Sequence, residues 1–155
     1  MEYTYFYIYL ISVWVVLLVC SQFKPVEIWH GVIGAVTVAY SLAYEIIFGN
    51  WMGLYYYLDP DHTALYMVLA GVMMYPVLNV IYVLFLPKDK SRLLLYTGIW
   101  ILAMILFEYV IIWQGIIVLT GWKPIPWSLA TYAFTYLWIN LLYRRLIRTM
   151  AVGEV

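Results

Sequence analysis

The sequence predicts an all-α, polytopic membrane bundle of five transmembrane helices, and three observations carry that prediction. Of the 155 residues, 67% are hydrophobic and 10% charged, and the mean hydropathy is +0.92. Soluble domains average roughly 45–50% apolar and about 25% charged, and so short a chain cannot hide this much apolar surface from water. Second, the apolar residues fall into five runs of the length, about 20 residues, that crosses a hydrocarbon core about 30 Å thick. Third, 20% of the residues are aromatic, and Trp and Tyr gather at membrane interfaces. A soluble enzyme and a disordered tail are excluded. Eight basic and eight acidic residues cancel, and no basic run follows a phosphate backbone, so no nucleic-acid partner is expected. The expected partners are the lipid bilayer and either a second copy, as a homo-oligomer, or another membrane protein.

The runs are taken in order. Tyr3–Phe23 opens on Tyr3, Tyr5, Tyr7 and Tyr9, an alternation of strand type. The apolar run continues to Val19, however, whereas a barrel strand needs only about 9–11 residues, so a helix is predicted. Lys24-Pro25 separates it from the second run, Ile28–Phe48. Asp59-Pro60-Asp61 precedes the third, Ala64–Leu86, with Asp59 suited to an N-cap and Pro60 to the first helical position. The loop Pro87–Arg92 leads to the fourth, Leu93–Leu119, long enough to tilt. Gly121–Pro126 leads to the fifth, Trp127–Ile147. No long polar linker interrupts the chain, so residues 1–155 read as one domain, and an odd number of helices leaves no inverted repeat of equal halves. The single cysteine, Cys20, allows no intramolecular disulfide and reads as a packing residue. The acidic Glu2 and the lack of a small-x-small site argue against a cleaved signal peptide.

Orientation follows from the basic residues. Lys24, Lys88, Lys90, Arg92, Arg144, Arg145 and Arg148 fall on one side and Lys123 alone on the other. The N-terminus is therefore expected outside and the C-terminus in the cytoplasm. An outer aromatic belt of Tyr3, Tyr5, Trp51, Tyr55, Tyr56, Tyr57, Trp122 and Trp127 is expected with it.

The second helix carries two stripes. Gly31, Ala35, Ala39 and Ala43 recur every fourth residue, a spacing that lets helix backbones approach closely, so this stripe is expected to be the packing centre. His30, Gly34, Thr37, Ser41 and Glu45 form a polar stripe about 22 Å long. It is either a packing face or a path for protons or ions. Glu108 lies in the outer half of the fourth helix. A charge in the hydrocarbon costs a few kcal/mol or more, so an intramembrane carboxyl is a functional-site candidate. Glu108 should point into the bundle, and if Glu45 is near, the two carboxyls share a site. The candidate intramembrane polar site is thus Glu108, Glu45, Ser41, Thr37, His30 and Gln114, the last in a wet outer vestibule. Tyr75, Asn79 and Tyr82 on the third helix, and Tyr132, Tyr136, Asn140 and Tyr143 on the fifth, form facing stripes suited to Asn–Tyr hydrogen bonds that glue helices together. Asp59, Asp61 and His62 are three potential ligands in four residues, a weak metal pattern, and no metal is expected there.

No cofactor is expected. Every lysine sits in a loop or at a helix end, so a retinal Schiff base has no partner, and His30 and His62 lie on opposite sides and cannot share a haem. Walker, HExxH and Ser/His/Asp patterns are absent.

The segments His30–Glu45, Trp51–Pro60 and Phe107-Glu108-Tyr109 resemble a group of small, Tyr- and Trp-rich, five-helix membrane proteins of spore-forming Gram-positive bacteria. The resemblance implies a bacterial plasma-membrane protein and carries over no catalytic residue. Three functions follow as expectations. The first is a non-enzymatic accessory or assembly component acting by helix packing. The second is a small transporter or channel for protons, cations or a small solute, using Glu45 and Glu108. The third is an intramembrane enzyme acting on a lipid or isoprenoid. What lies between Glu45 and Glu108 discriminates them: a connected cavity favours transport, a dry contact favours scaffolding, and a pocket open to lipid favours an enzyme.

Overall fold

A computed structural model describes residues 1–153; Glu154 and Val155, and with them the chain end expected in the cytoplasm, lie outside the described residues. Five helices dominate. They are α1 (Glu2–Phe23), α2 (Ile28–Trp51), α3 (Thr63–Leu84), α4 (Lys90–Trp113) and α5 (Leu129–Gly153). Two short strands, β1 (Tyr55–Tyr57) and β2 (Ile117–Leu119), pair antiparallel with Tyr56 opposite Val118. The first four helices are long and apolar enough to cross a membrane. The fifth is not among them, which corrects the expectation of five such runs. Thr131, Thr135, Asn140, Arg144, Arg145 and Arg148 dilute its apolar surface.

Two other boundaries differ from the sequence reading. The fourth helix stops at Trp113, not Leu119, because Gly115 turns the chain at φ +73° and Ile117–Leu119 pairs with β1 instead. Only glycine takes that left-handed conformation without steric cost. Asp59 does not cap the third helix, which begins at Thr63 with His62 in the cap position. Its carboxylate instead closes the preceding turn, accepting from Asp61 N at 3.0 Å. Asp89, by contrast, does cap α4, accepting from Arg92 N.

α2 packs most extensively on α3, but not through its small residues. Gly31, Ala35, Ala39 and Ala43 are exposed, whereas His30, Ile33, Thr37, Ser41 and Glu45 are buried. The polar stripe is therefore the packing face and the Gly/Ala stripe looks outward, a correction to the expected packing centre. The small residue at the contact belongs to the partner helix. A Cβ on Gly71 would meet Leu42 Cδ2 at 3.0 Å and Ser41 Oγ at 3.4 Å.

The closeness at Gly71 has a cause in sequence. Pro76 has no N–H and cannot continue the α-type ladder. Just before it, Ala70–Met74 winds wider, with π-type hydrogen bonds, and Tyr75 N–H donates to Ala70 O rather than to Gly71 O. The Gly71 carbonyl, released from the ladder, accepts from Ser41 Oγ at 2.7 Å. A second wide stretch, Glu45–Trp51, continues α2 beyond Tyr44.

The core has two parts. One joins α1, α3 and the strands through Phe6, Tyr57, Tyr66, Met74 and Ile116. The other joins α2, α3, α4 and α5 through Ile33, Tyr82, Met104, Tyr136 and Ile139. At the end of the bundle opposite the strands, Lys24 Nζ donates to Leu84 O at 3.2 Å and sits 5.2 Å from the Phe85 ring centre.

These contacts predict opposite outcomes for two enlargements. Gly71→Val should lower stability by about 1–3 kcal/mol through overpacking, and Ala39→Leu should leave it nearly unchanged. Thermal unfolding of both variants in detergent checks this; equal losses, or a loss confined to Ala39→Leu, would contradict the packing described.

Candidate functional site

Glu45 is the last buried residue of the polar stripe, 3% exposed, at the point where α2 widens. Its partners hang from β1. In a strand alternate side chains face opposite ways, and of Tyr55, Tyr56 and Tyr57 the outer two are buried. Tyr55 Oη donates to Glu45 Oε2 at 2.9 Å and Tyr57 Oη to Glu45 Oε1 at 3.0 Å. Because the Tyr57 proton goes to the carboxylate, the 2.7 Å contact between the Tyr57 and Tyr75 hydroxyls makes Tyr75 the donor there. Burial first, and the Glu45 carboxylate second, push the Tyr55 and Tyr57 phenols well above the ordinary tyrosine range. Both therefore remain donors at any physiological pH.

The ribbon that carries these tyrosines is pinned at its start. Leu54 O accepts from the backbone N–H groups of Thr120, Gly121 and Trp122 at 2.9–3.0 Å. Tyr55, Tyr57 and Trp122 are consequently not members of an outer belt; they are buried. Tyr3, Tyr5, Trp51 and Trp127 are exposed.

Glu108 points into the bundle and is 8% exposed. Ser128 Oγ donates to its Oε1 at 2.6 Å and Tyr132 Oη to its Oε2 at 2.9 Å. Trp122 Nε1 donates to Ser128 Oγ at 2.8 Å, so the Ser128 proton is free for Glu108. Each carboxyl thus has its own pair of hydroxyl donors, and among the described residues no hydrogen bond joins the two.

They meet in another way. Both line one cavity of about 110 Å³ walled by residues of α2, α3, α4, α5 and the strands. Of the polar-site residues read from the sequence, Glu45, Glu108, Ser41 and Thr37 line it, and so do Tyr75, Asn79 and Tyr136. Thr37 Oγ1 donates to Ile33 O and accepts from Asn79 Nδ2 at 3.3 Å. Asn79 therefore bonds to α2, not to the fifth helix as the facing stripes suggested. Tyr82 Oη does reach Asn140 Oδ1, at 2.9 Å, and Tyr136 Oη accepts from Trp100 Nε1.

Gln114, His30 and Asn140 do not line the cavity. Gln114 Oε1 accepts from Tyr9 Oη at 2.8 Å and ties α4 to α1, so it is not part of a vestibule with Glu108. His30 closes a capping box at the start of α2. Its Nδ1 accepts from Glu27 N at 2.9 Å, while the Glu27 carboxylate accepts from His30 N. With Nδ1 an acceptor, Nε2 carries the hydrogen and faces Tyr143 Oη at 3.2 Å. The Glu-x-x-His spacing at 27–30 was the signal for this role.

Asp59 and His62 form an exposed pair at 2.8 Å. The hydrogen bond from His62 holds the Asp59 carboxyl below its usual range, and the same bond pushes the His62 imidazole up. Among the described residues no group of three or more His, Cys, Asp or Glu is placed to hold a metal ion. Sequence reasoning did not place Trp122, Ser128, Tyr55 and Tyr57 in the site. Only the spacing of Tyr55 and Tyr57, one residue apart in a short loop, hinted that both face the same way.

No family model matches the chain, and no protein of curated function and no solved structure is detectably similar to it.

Tyr57 is the hinge of the Glu45 cluster. Tyr57→Phe removes one donor to Glu45 and the acceptor of Tyr75, leaving buried groups unpaired at a cost of about 1–3 kcal/mol. Tyr56→Phe should cost little. Denaturant unfolding of the two variants in the same detergent compares them; matching stabilities would mean that the Tyr57 hydroxyl is not buried against Glu45.

Proposed function

We propose that the chain is a polytopic membrane protein that admits a small solute from the outer side into the cavity lined by Glu45 and Glu108, as a transporter or channel component. The reading places the strand-capped end outside and the end bearing seven basic residues in the cytoplasm, by the basic-residue bias. α5, although less apolar than the rest, is then the fifth span, its polar face turned to the bundle and its arginines at the inner edge. The resemblance to membrane proteins of spore-forming bacteria supports a bacterial plasma membrane as its location in this reading.

One observation carries the reading: the two intramembrane carboxyls and the buried polar stripe of α2 converge on a single cavity. A stripe that served only to pack helices would end in dry contacts. Here Thr37, Ser41 and Glu45 each satisfy part of their hydrogen-bonding capacity within the protein and still face open volume. Concave sites of this kind, mostly apolar with a few convergent polar groups, are the usual form of small-molecule sites.

An assembly role has a separate support. The outward stripe Gly31, Ala35, Ala39 and Ala43 is exposed, and small residues at that spacing suit a close contact with another transmembrane helix.

Thiol accessibility tests the cavity. In a Cys20→Ser background, Ile111→Cys, at a cavity-lining position that carries none of the site's hydrogen bonds, should react in vesicles with externally added hydroxyethyl methanethiosulfonate, a neutral, water-soluble reagent. Ala39→Cys, on the outward face, should stay unreacted because thiols in hydrocarbon do not ionise. Reaction of Ile111→Cys only after denaturation would defeat the reading.

A further inference from the structure

The cavity presents two carboxyl groups that no basic side chain in its walls faces. Glu45 and Glu108 line it, and no Lys, Arg or His does. All the side-chain hydrogen bonds the two carboxyls accept come from uncharged hydroxyls, those of Tyr55, Tyr57, Ser128 and Tyr132. Among the described residues the one ion pair is Asp59–His62, which does not line the cavity. A carboxylate offers about four lone-pair sites, and each of these has two donors. Acceptor capacity is left on both groups for a guest that brings N–H bonds and positive charge.

The remaining walls narrow the guest further. Tyr40, Tyr44, Phe107 and Trp122 supply aromatic surface, which attracts cations. Met74 and Leu78 supply aliphatic surface that a bare inorganic ion would leave unused. Hard divalent cations take about six or more oxygen ligands, and no cluster of three ligating side chains stands among the described residues. Size is the last limit. A cavity of about 150 Å³ accepts benzene, or about 25 Å³ for each heavy atom. The present volume of about 110 Å³ then accommodates four or five heavy atoms.

We infer that the cavity binds a small alkylammonium ion of about four or five heavy atoms, its N–H groups on Glu45 and Glu108 and its alkyl part against the aromatic and aliphatic wall. The inference rests on the solute-cavity reading and names its substrate class.

Protection of Ile111→Cys from the neutral thiol reagent tests it, with propylammonium chloride as the probe. Propanol matches the probe in size without its charge, and sodium chloride matches the ionic strength. At a propylammonium concentration ten times its dissociation constant, labelling should slow about tenfold by mass action, while propanol and sodium chloride leave the rate unchanged. Equal protection by propanol, equal protection by sodium chloride, or no protection by propylammonium each overturns the ammonium assignment. In all three cases, labelling that still occurs without additive keeps the cavity reading intact. An Ile111→Cys that never labels in the folded protein removes both. Glu45→Gln and Glu108→Gln, added singly, keep side-chain shape and should each weaken protection at least tenfold. Full protection in both would place the ammonium elsewhere and overturn the proposal. Should a Gln variant fail to fold, the comparison of propylammonium with propanol on Ile111→Cys alone still decides.

Discussion

The hydrogen bond from Ser41 Oγ to the Gly71 carbonyl, 2.7 Å long, joins the two helices on which the rest of the site depends. It exists because Pro76 interrupts the ladder of α3 and the chain answers by winding wider over Ala70–Met74. That slip frees a buried carbonyl, and a buried backbone group left without a partner costs about 1–3 kcal/mol. A serine from the neighbouring helix supplies the bond. Gly71, without a Cβ, lets the helix carrying that serine come close enough to do so. One turn further along α2 lies Glu45, and one turn further along α3 lies Tyr75. The close crossing thus brings Glu45 and Tyr75 to one side of Tyr57, which hydrogen-bonds to both.

The strand-capped end of the bundle follows from the same logic of buried partners. Glu45 and Glu108 are both buried. Each is met by hydroxyls delivered by irregular backbone: Tyr55 and Tyr57 by the short ribbon, Ser128 by the turn that leads into α5. Trp122 links the two halves, packing 6.1 Å from the Tyr55 ring while its indole holds Ser128. Irregular backbone at such a position is tolerated when it is buried in protein or lines a cavity, and here it does both. The two carboxyls remain separate, each with its own donors, and the volume between the elements that hold them is what makes a solute site the best account of the arrangement.

Much of this was legible in the sequence, and the remainder has physical reasons for its obscurity. The helices and their approximate limits follow from the apolar runs. The inward turn of Glu108 and the burial of Thr37, Ser41 and Glu45 follow from the cost of polar groups in hydrocarbon. The small-residue stripe misled because Gly and Ala at four-residue spacing permit a close contact without requiring one; the contact used Gly71, an isolated glycine whose meaning depended on Pro76 five residues later. Leu93–Leu119 read as one run because hydropathy does not see Gly115, where a positive φ ends the helix. Tyr55, Tyr57 and Trp122 read as interface aromatics, since composition carries no sign of a two-stranded ribbon folded back over the bundle. His30 and Gln114 were drawn into the site by polarity alone, while a capping box and a tyrosine from α1 satisfy them elsewhere.

The proposed solute site requires that Glu45 and Glu108, though buried, open onto one cavity that water reaches. Water-edited solid-state NMR of the unmodified protein in lipid, with carbon-labelled glutamate and isoleucine, reads this directly. Water polarisation should reach the Glu45 and Glu108 side-chain carbons nearly as fast as those of Glu2 and Glu27, which lie at the two ends of the bundle. Signals from Glu45 and Glu108 that stay as dark as those of the fully buried Ile33 and Ile139 would contradict it.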